Sequence, residues 1–373
     1  MISALPHPRR LLPVLLALLL LPACDTATPD PEDGVDLDAL FAPPTAAEVD
    51  AVLADWAGRD VAARGVVEHD TVAVTLGGTP ARARIVSHTV GAAQHYGALL
   101  VPDGAEPGSL PVLLYAHGGD GGVDLDETVT NLNLGFFGLS NAFVLVVPSF
   151  RAEPLTAGGV TYQSTGEPSP WDRDVDDALA LINVALQTVP EADAGRIGVV
   201  GFSRGGGVAL LMAARDPRIE VVVEFFGPTD FFGPFVRAVT EEALQGRPRD
   251  LPGLDYLNAA LIQPLAAGTI SLAEVRNQML RRSAVYFADR LPDLQVHHGT
   301  ADTVVPVGEA ERLIAVMEGL GRSATSTPPF EAYLYPGAGH NPSEMTGSFE
   351  RTSAFLRRLL EPEVAVRSAG VAR

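Results

Sequence analysis

The sequence contains no lysine; all 26 of its fixed cations are arginine. That excludes chemistry built on a lysine amine, whether a Schiff base or a serine–lysine pair. It contains one cysteine, Cys24, so no disulfide can form within the chain. None is needed, because 373 residues that are 47% hydrophobic can bury a core of ordinary size, in one large domain or two smaller ones. Blocks of like charge are missing too. The net charge of −20 is spread along the chain and reads as a solvated surface, and it argues against a nucleic-acid partner. The eight histidines never take a metal-ligand spacing such as H-E-x-x-H, and the carboxylates are scattered, so no metal and no cofactor is implied. There are no internal repeats.

Long apolar runs are also absent, apart from one near the start. Arg9 and Arg10 precede Leu11–Leu21, broken only by Pro13. Eleven residues are too few to span a bilayer but suit the apolar region of a secretory signal. The run ends in "LPAC", with Leu21 three positions before Cys24 and small Ala23 just before it. This stretch resembles a bacterial lipoprotein signal, although Pro22 departs from the usual small or β-branched residue. The resemblance implies a signal peptide over 1–23, cleavage before Cys24 and lipid on its sulfur. The alternative is an ordinary secretory signal with an incidental cysteine. The polar, proline-bearing segment 24–44 reads as a flexible tether, and 363–373 as a C-terminal tail.

Between them, residues 45–362 have the pattern of an α/β domain. Thr45 and Glu48 form a capping box for a helix reaching about Ala57. Residues 66–76, 81–90 and 96–101 read as antiparallel leading strands with Gly77-Gly78 as a turn. From about residue 111, unbroken apolar strands alternate with helical stretches: "PVLLYA", "AFVLVVP", a helix near 175–186, "RIGVVGF", a helix over 206–215, and "IEVVVEFFG". The alternation resumes with "LQVHHG", a helix near 308–319, "FEAYLYP" and a last helix over 348–359. This pattern predicts a mostly parallel sheet with helices on both faces. Residues 228–292 break the rhythm and read as a helical lid or cap insertion over the site, one helix of it opened by Ser271 and Glu274.

The sharpest chemical signal is "VVGFSRGGG", residues 199–207. A serine hydroxyl is a poor nucleophile without a base beside it, and it must project from the carboxyl end of the sheet. A tight strand-to-helix turn achieves this, and its geometry leaves no room for side chains two residues before or after the serine. Gly201 and Gly205 meet that demand around Ser203. A partner histidine is expected later in the chain, in a loop after a parallel strand, and His340 in "YPGAGHNP" fits. His297 and His298, within a strand, read as structural. The acid that orients the histidine is either Asp302, in "HGTADTVVP", or Asp230, in "GPTD"; both follow parallel strands. The two backbone donors of an oxyanion hole are expected at Arg204, after the serine, and at Gly118 or Gly119 in "YAHGGDGG". His117 reads as orienting that loop.

The segments "HGGDGG", "GFSRGG", "HGTADTVVP" and "YPGAGHNP" together resemble the catalytic domain of prolyl-oligopeptidase-type serine hydrolases of the α/β-hydrolase superfamily. "VVPSFRAEPL", "SPWDRDVDDALALI" and "GPTDFF" resemble further stretches of it. The resemblance covers roughly residues 95–360 and implies a triad of Ser203, Asp302 and His340. It departs in one respect: only about 75 residues separate the tether from the oxyanion loop, too few for the β-propeller of the oligopeptidases. The expectation is therefore a secreted or lipid-anchored serine hydrolase. It would cleave an ester or peptide through an acyl-enzyme, and the membrane would be engaged only through the lipid. The rival readings are a catalytically silent surface binding protein on the same fold, and an acyltransferase with the same triad.

Overall fold

The computed structural model describes residues 34–136 and 138–361; the expected signal, Cys24 and the tail lie outside them. Three strands come first, β1 (Val67–Leu76), β2 (Thr79–Val90) and β3 (Ala93–Pro102), paired antiparallel as expected. Gly77 and Gly78, both at positive φ, make the first turn. The parallel part opens with β4 (Leu110–Ala116). Next come the two-residue β5 (Val123–Asp124), then β6 (Val144–Pro148) and the hairpin β7 (Pro154–Ala157) and β8 (Val160–Gln163). It is completed by β9 (Ala192–Phe202), β10 (Ile219–Phe225), β11 (Asp293–Gly299) and β12 (Phe330–Tyr335). The main sheet runs β1-β2-β3-β6-β4-β9-β10-β11-β12, parallel from β6 onward, while β5, β7 and β8 form a separate small sheet.

The central strands are apolar throughout because both faces are covered. On one face lie α3 (Leu125–Gly135) and α11 (Ser348–Leu356), burying Leu125, Leu132, Phe355 and Leu356. On the other lie α2 (Ala46–Ala57), α4 (Arg173–Thr188), α5 (Arg204–Arg215) and α10 (Gly308–Gly319). The capping box of α2 is complete: Thr45 accepts from the Glu48 amide, and the Glu48 carboxylate accepts from the Thr45 amide at 2.8 Å.

The segment between β10 and β11 is the expected insertion. It carries α6 (Pro234–Leu244), α7 (Leu254–Tyr256), a π-helical turn at Leu257–Ile262, α8 (Gln263–Ala266) and α9 (Leu272–Leu280). Ser271 caps α9 by accepting from the Glu274 amide.

Two expectations are corrected. The tether expected over 24–44 gives way to packed structure well before residue 44. Leu37–Leu40 forms a short helix, α1, capped by Asp36, with Leu40 fully buried and Phe41 nearly so. Arg276 of α9 donates to the carbonyl oxygens of Ala39, Leu40 and Ala42 and pairs with Glu48. One Leu-Phe pair in a polar stretch supplies the buried surface, too little to register as periodicity. The acidity, too, is not all solvated surface. Asp172, Asp174, Asp176 and Asp177 at the start of α4 are buried. They are tolerated there because Arg59, Arg151, Arg204 and Arg215 pair with them.

Candidate active site

The parallel register aligns the carboxyl ends of five neighbouring strands. Ala116 of β4 lies beside Gly201 of β9, Phe202 beside Phe225 of β10, Phe225 beside His297 of β11, and Gly299 beside Tyr335 of β12. The loops carrying His117–Gly119, Ser203, Thr300–Asp302 and Gly337–His340 therefore leave one edge of the sheet together.

Ser203 sits between β9 and α5 at φ 54°, ψ −120°, a conformation that side chains rarely adopt. Its amide donates to the Phe225 carbonyl at 2.9 Å, and its own carbonyl accepts from the Gly206 amide at 2.8 Å, which holds the strained turn in place. The two glycines are sterically required. A Cβ at Gly201 would lie 2.0 Å from the Gly205 carbonyl oxygen, and one at Gly205 would lie 2.0 Å from that of Ala116. With both absent, α5 starts close against β4 and the serine hydroxyl points away from the sheet.

Ser203 Oγ is 2.9 Å from His340 Nε2, and His340 Nδ1 is 2.6 Å from Asp302 Oδ2. A carboxylate can only accept, so Nδ1 carries the ring proton. That leaves Nε2 free to accept from the serine hydroxyl. Asp302 is itself held in place, because its Oδ1 accepts from the Val304 and Val305 amides at 2.8 and 3.0 Å. The His340 ring lies 4.3 Å from the Phe226 ring, which fixes its plane.

The competitor Asp230 has other work. It pairs with Arg312 and accepts from the Phe232 amide, at the point where the insertion begins. Both of its carboxylate oxygens are engaged there, and His340 Nδ1 bonds Asp302 instead. His298 donates Nε2–H to the Val305 carbonyl at 2.8 Å, bracing the Asp302 loop. His297 is stacked on Phe225 and bonded to Gln295 and Tyr335; burial pushes its pKa down to about 3, so it stays neutral. Both are structural, as their place within a strand suggested.

Gly118 closes on the serine: a Cβ there would lie 3.1 Å from that of Ser203. Gly118, Gly119, Ser203 and Arg204 line one cavity. Arg204 is the first residue of α5, where backbone N–H groups lack intrahelical partners and the helix dipole favours negative charge.

The Arg204 side chain has a role that the sequence reading did not assign. Its guanidinium is buried, pairs with Asp174 at 2.8 Å and Glu153 at 2.5 Å, and donates to the Gly119 carbonyl at 3.1 Å. It therefore ties the glycine loop to the helix that follows the serine. His117 completes the support, its ring stacked on Phe150, whose ring also meets Arg204. Burial pushes His117 down to about 4, and burial pushes Glu153 up to about 7 against the pull of Arg204. "FRAEP" and "SPWDRDVDD" hold the two acids, but nothing in a single sequence pairs them with an arginine thirty or fifty residues later.

The cavity above the serine has a volume of about 590 Å³. Phe202, Phe225, Phe226, Trp171 and Tyr115 dominate its floor, and Phe235, Leu251 and Leu254 of the insertion wall one side. The insertion thus borders the site, as a cap would. Among the described residues no cluster of histidine, cysteine and acid is arranged to hold a metal ion.

Comparison with known proteins gives the class. The chain has the α/β-hydrolase fold. It superposes on acetyl xylan esterase 1 of Thermoanaerobacterium sp. with a TM-score of 0.59 at 20% identity, over 88% of this chain and 100% of that one. It superposes on the acylaminoacyl peptidase of Pyrococcus horikoshii with a TM-score of 0.50 at 16% identity, over 75% of this chain but 40% of the peptidase. The profile of the dienelactone hydrolase family matches residues 159–245, the stretch that includes the serine turn. A probable 1-alkyl-2-acetylglycerophosphocholine esterase of Arthroderma benhamiae is 27% identical over 124 residues. That match takes in 32% of this chain and 31% of the relative's length.

Proposed function

We propose that the protein is a serine hydrolase that cleaves a carboxylic ester through an acyl-enzyme. The observation that carries this reading is the continuous relay from Ser203 Oγ through His340 to Asp302, opening into a cavity beside two candidate oxyanion donors. Ser203 Oγ attacks the carbonyl carbon while its proton passes to His340 Nε2. The Arg204 and Gly119 amides, with Gly118 shaping the loop, receive the developing oxyanion. His340 then returns the proton to the leaving alcohol. Asp302 holds the tautomer and stabilises the imidazolium. Water repeats the sequence with His340 as base, which releases the acid and restores the serine.

An ester is favoured over a peptide by the cavity lining. Amide groups taken from water need hydrogen-bonding partners, and this cavity is walled mainly by aromatic and aliphatic side chains. The structural relatives include an esterase and a peptidase, so the preference rests on the cavity lining. A fluorophosphonate probe should label Ser203, and Ser203→Ala should abolish both labelling and ester turnover while the protein stays folded. Undiminished hydrolysis by Ser203→Ala would sink the mechanism. The expected export and lipid anchor form a separate proposal, supported by the "LPAC" motif. A fatty-acid analogue supplied to the producing cells should be incorporated by the wild type and not by Cys24→Ser. Absence of label on the wild type would leave an ordinary secretory signal.

A further inference from the structure

The cavity does not lie on one side of the sheet; it straddles its edge. One buried end is formed by Leu132, Gly135 and Phe136 of α3 and its cap, with Phe349 and Thr352 of α11. Leu132 and Phe136 belong to the core on that face. The other buried end is formed by Trp171, Leu254 and Val305, walled by Phe235 and Leu251; Trp171 and Leu254 belong to the core on the opposite face. Ser203, at the tip of the central strand β9, stands between the two. Asn131, Leu134, Pro252, Asn341 and Ser343 are exposed lining residues and form the rim. Among the described residues the single charged one in the lining is Arg204, whose guanidinium is taken up by Asp174 and Glu153. Among the described residues neither end holds a charged partner for a carboxylate or an ammonium group; the polar side chains there are the Thr352 hydroxyl at one end and the Trp171 indole N–H at the other.

Building on the serine-hydrolase reading, we propose that the substrate is an uncharged ester bearing an apolar chain on each side of the scissile carbonyl. One chain lies between α3 and α11 and the other lies beneath the insertion. A carbonyl at Ser203 has two substituents that diverge, and the cavity offers two diverging apolar ends. A volume of about 590 Å³ is in the range that holds a ligand with chains of several carbons on both sides. A group that brought charge into either end would be desolvated without compensation.

The test uses two series of neutral esters: methyl esters with acyl chains of increasing length, and acetates with alcohol chains of increasing length. In both, kcat/KM should climb roughly fourfold per added methylene over the first several carbons, the equivalent of full burial of each group. A terminal carboxylate or ammonium on either chain should remove the gain. Gly135 provides the plug. Among the described residues a Cβ there would meet the Phe349 ring alone, at 3.7 Å, so a larger side chain can be accommodated and would fill that end. Gly135→Phe should cut the chain-length gain of one series by tenfold or more relative to the gain of the other series. Gly135→Leu gives the same readout if the larger residue impairs folding.

A flat profile in either wild-type series would overturn the proposal. So would equal turnover of charged and neutral chains, or equal loss of both series in the plugged variants. Binding of symmetrical dialkyl ketones to Ser203→Ala, followed by displacement of a fluorescent apolar probe, separates the two claims. If no serine labelling or turnover is found, the catalytic reading fails. The two-ended cavity then stands if ketone affinity rises with chain length and Gly135→Phe weakens it, and falls if it does not.

Discussion

Replacing Asp302 by asparagine separates the relay from the fold. Asp302 is buried and makes three hydrogen bonds: two amides on Oδ1 and His340 Nδ1–H on Oδ2. Asparagine is nearly isosteric but has one acceptor oxygen. If that oxygen stays with the Val304 and Val305 amides, the NH₂ group faces His340 Nδ1. The ring must then accept at Nδ1 and carry its proton on Nε2, where it cannot take one from Ser203. If the amide flips to restore the correct tautomer, its NH₂ faces two N–H donors. Leaving two buried donors unpaired costs about 1–3 kcal/mol each, so the productive arrangement falls by roughly 30-fold to 10⁴-fold. The lost negative charge also withdraws support from the imidazolium, which places the expected drop in kcat near the upper end, about 10³–10⁴. The assay is steady-state hydrolysis of a chromogenic ester, with circular dichroism to confirm folding and active-site titration to count competent serines. Asp230→Asn, at the Arg312 pair, should lower stability and leave kcat within a few-fold. A folded Asp302→Asn retaining a tenth or more of wild-type kcat would refute this reasoning, and a larger fall in Asp230→Asn would move the acid's role to that residue.

Other expectations concern stability and the supports of the site. Burial pushes Glu224 up to about 8; it accepts only the Gly227 amide, and its other oxygen has no partner. A carboxyl raised in the folded state holds its full stability below the ordinary value of 4.5 and loses it as pH rises toward 8. The total loss is on the order of 4–5 kcal/mol, so Glu224→Gln should flatten the decline in urea midpoint between pH 5 and 8, and an unchanged slope would count against it. His88 and His95 are lowered by burial to about 4 and 3, so the unfolded chain takes up their protons first as pH falls below about 6.5. Acid unfolding should begin in that range, and His88→Leu should move its midpoint to lower pH. Gly205→Ala forces a methyl against the Ala116 carbonyl and should cost ~3 kcal/mol or more, read as a lower thermal midpoint with loss of serine labelling. Arg204→Met should lower kcat more than it raises KM, because it releases the Gly119 loop while preserving the backbone amide at 204; equal effects on every ester and on stability alone would argue for a merely structural residue.

Much of this was legible in the sequence because strong local signals coincide with the functional elements. The unbroken apolar strands, the glycine–serine turn and the capping residues each carry their signature within a few consecutive residues, even where distant contacts hold them. Choosing between Asp302 and Asp230 needs the tertiary fold: each follows a parallel strand, and only the folded chain shows Asp302 bonded to His340 and Asp230 paired with Arg312. Helix α3 is faint in the sequence because Thr128, Val129 and Thr130 weaken its helical signal, although Asp124 caps it in the structure. The strands of the small sheet are two to four residues long, too short for alternation to register. The buried acids of α4 looked like a solvated face because their arginine partners come from residues 59, 151, 204 and 215, which only folding assembles.

The uncharged lining of the cavity also bears on what happens after the bond is broken. Hydrolysis converts a neutral ester into a neutral alcohol and an acid that ionises at neutral pH. The amides of Arg204 and Gly119 and the start of α5 meet the new carboxylate where it forms, but the apolar walls beyond them offer it no counter-ion, and the protein carries a net charge of −20. Away from those donors the product is a worse fit than the substrate, because its negative charge would be desolvated without compensation. The reaction creates its own eviction force. Free fatty acid should compete poorly with ester, and turnover should stay linear as product accumulates.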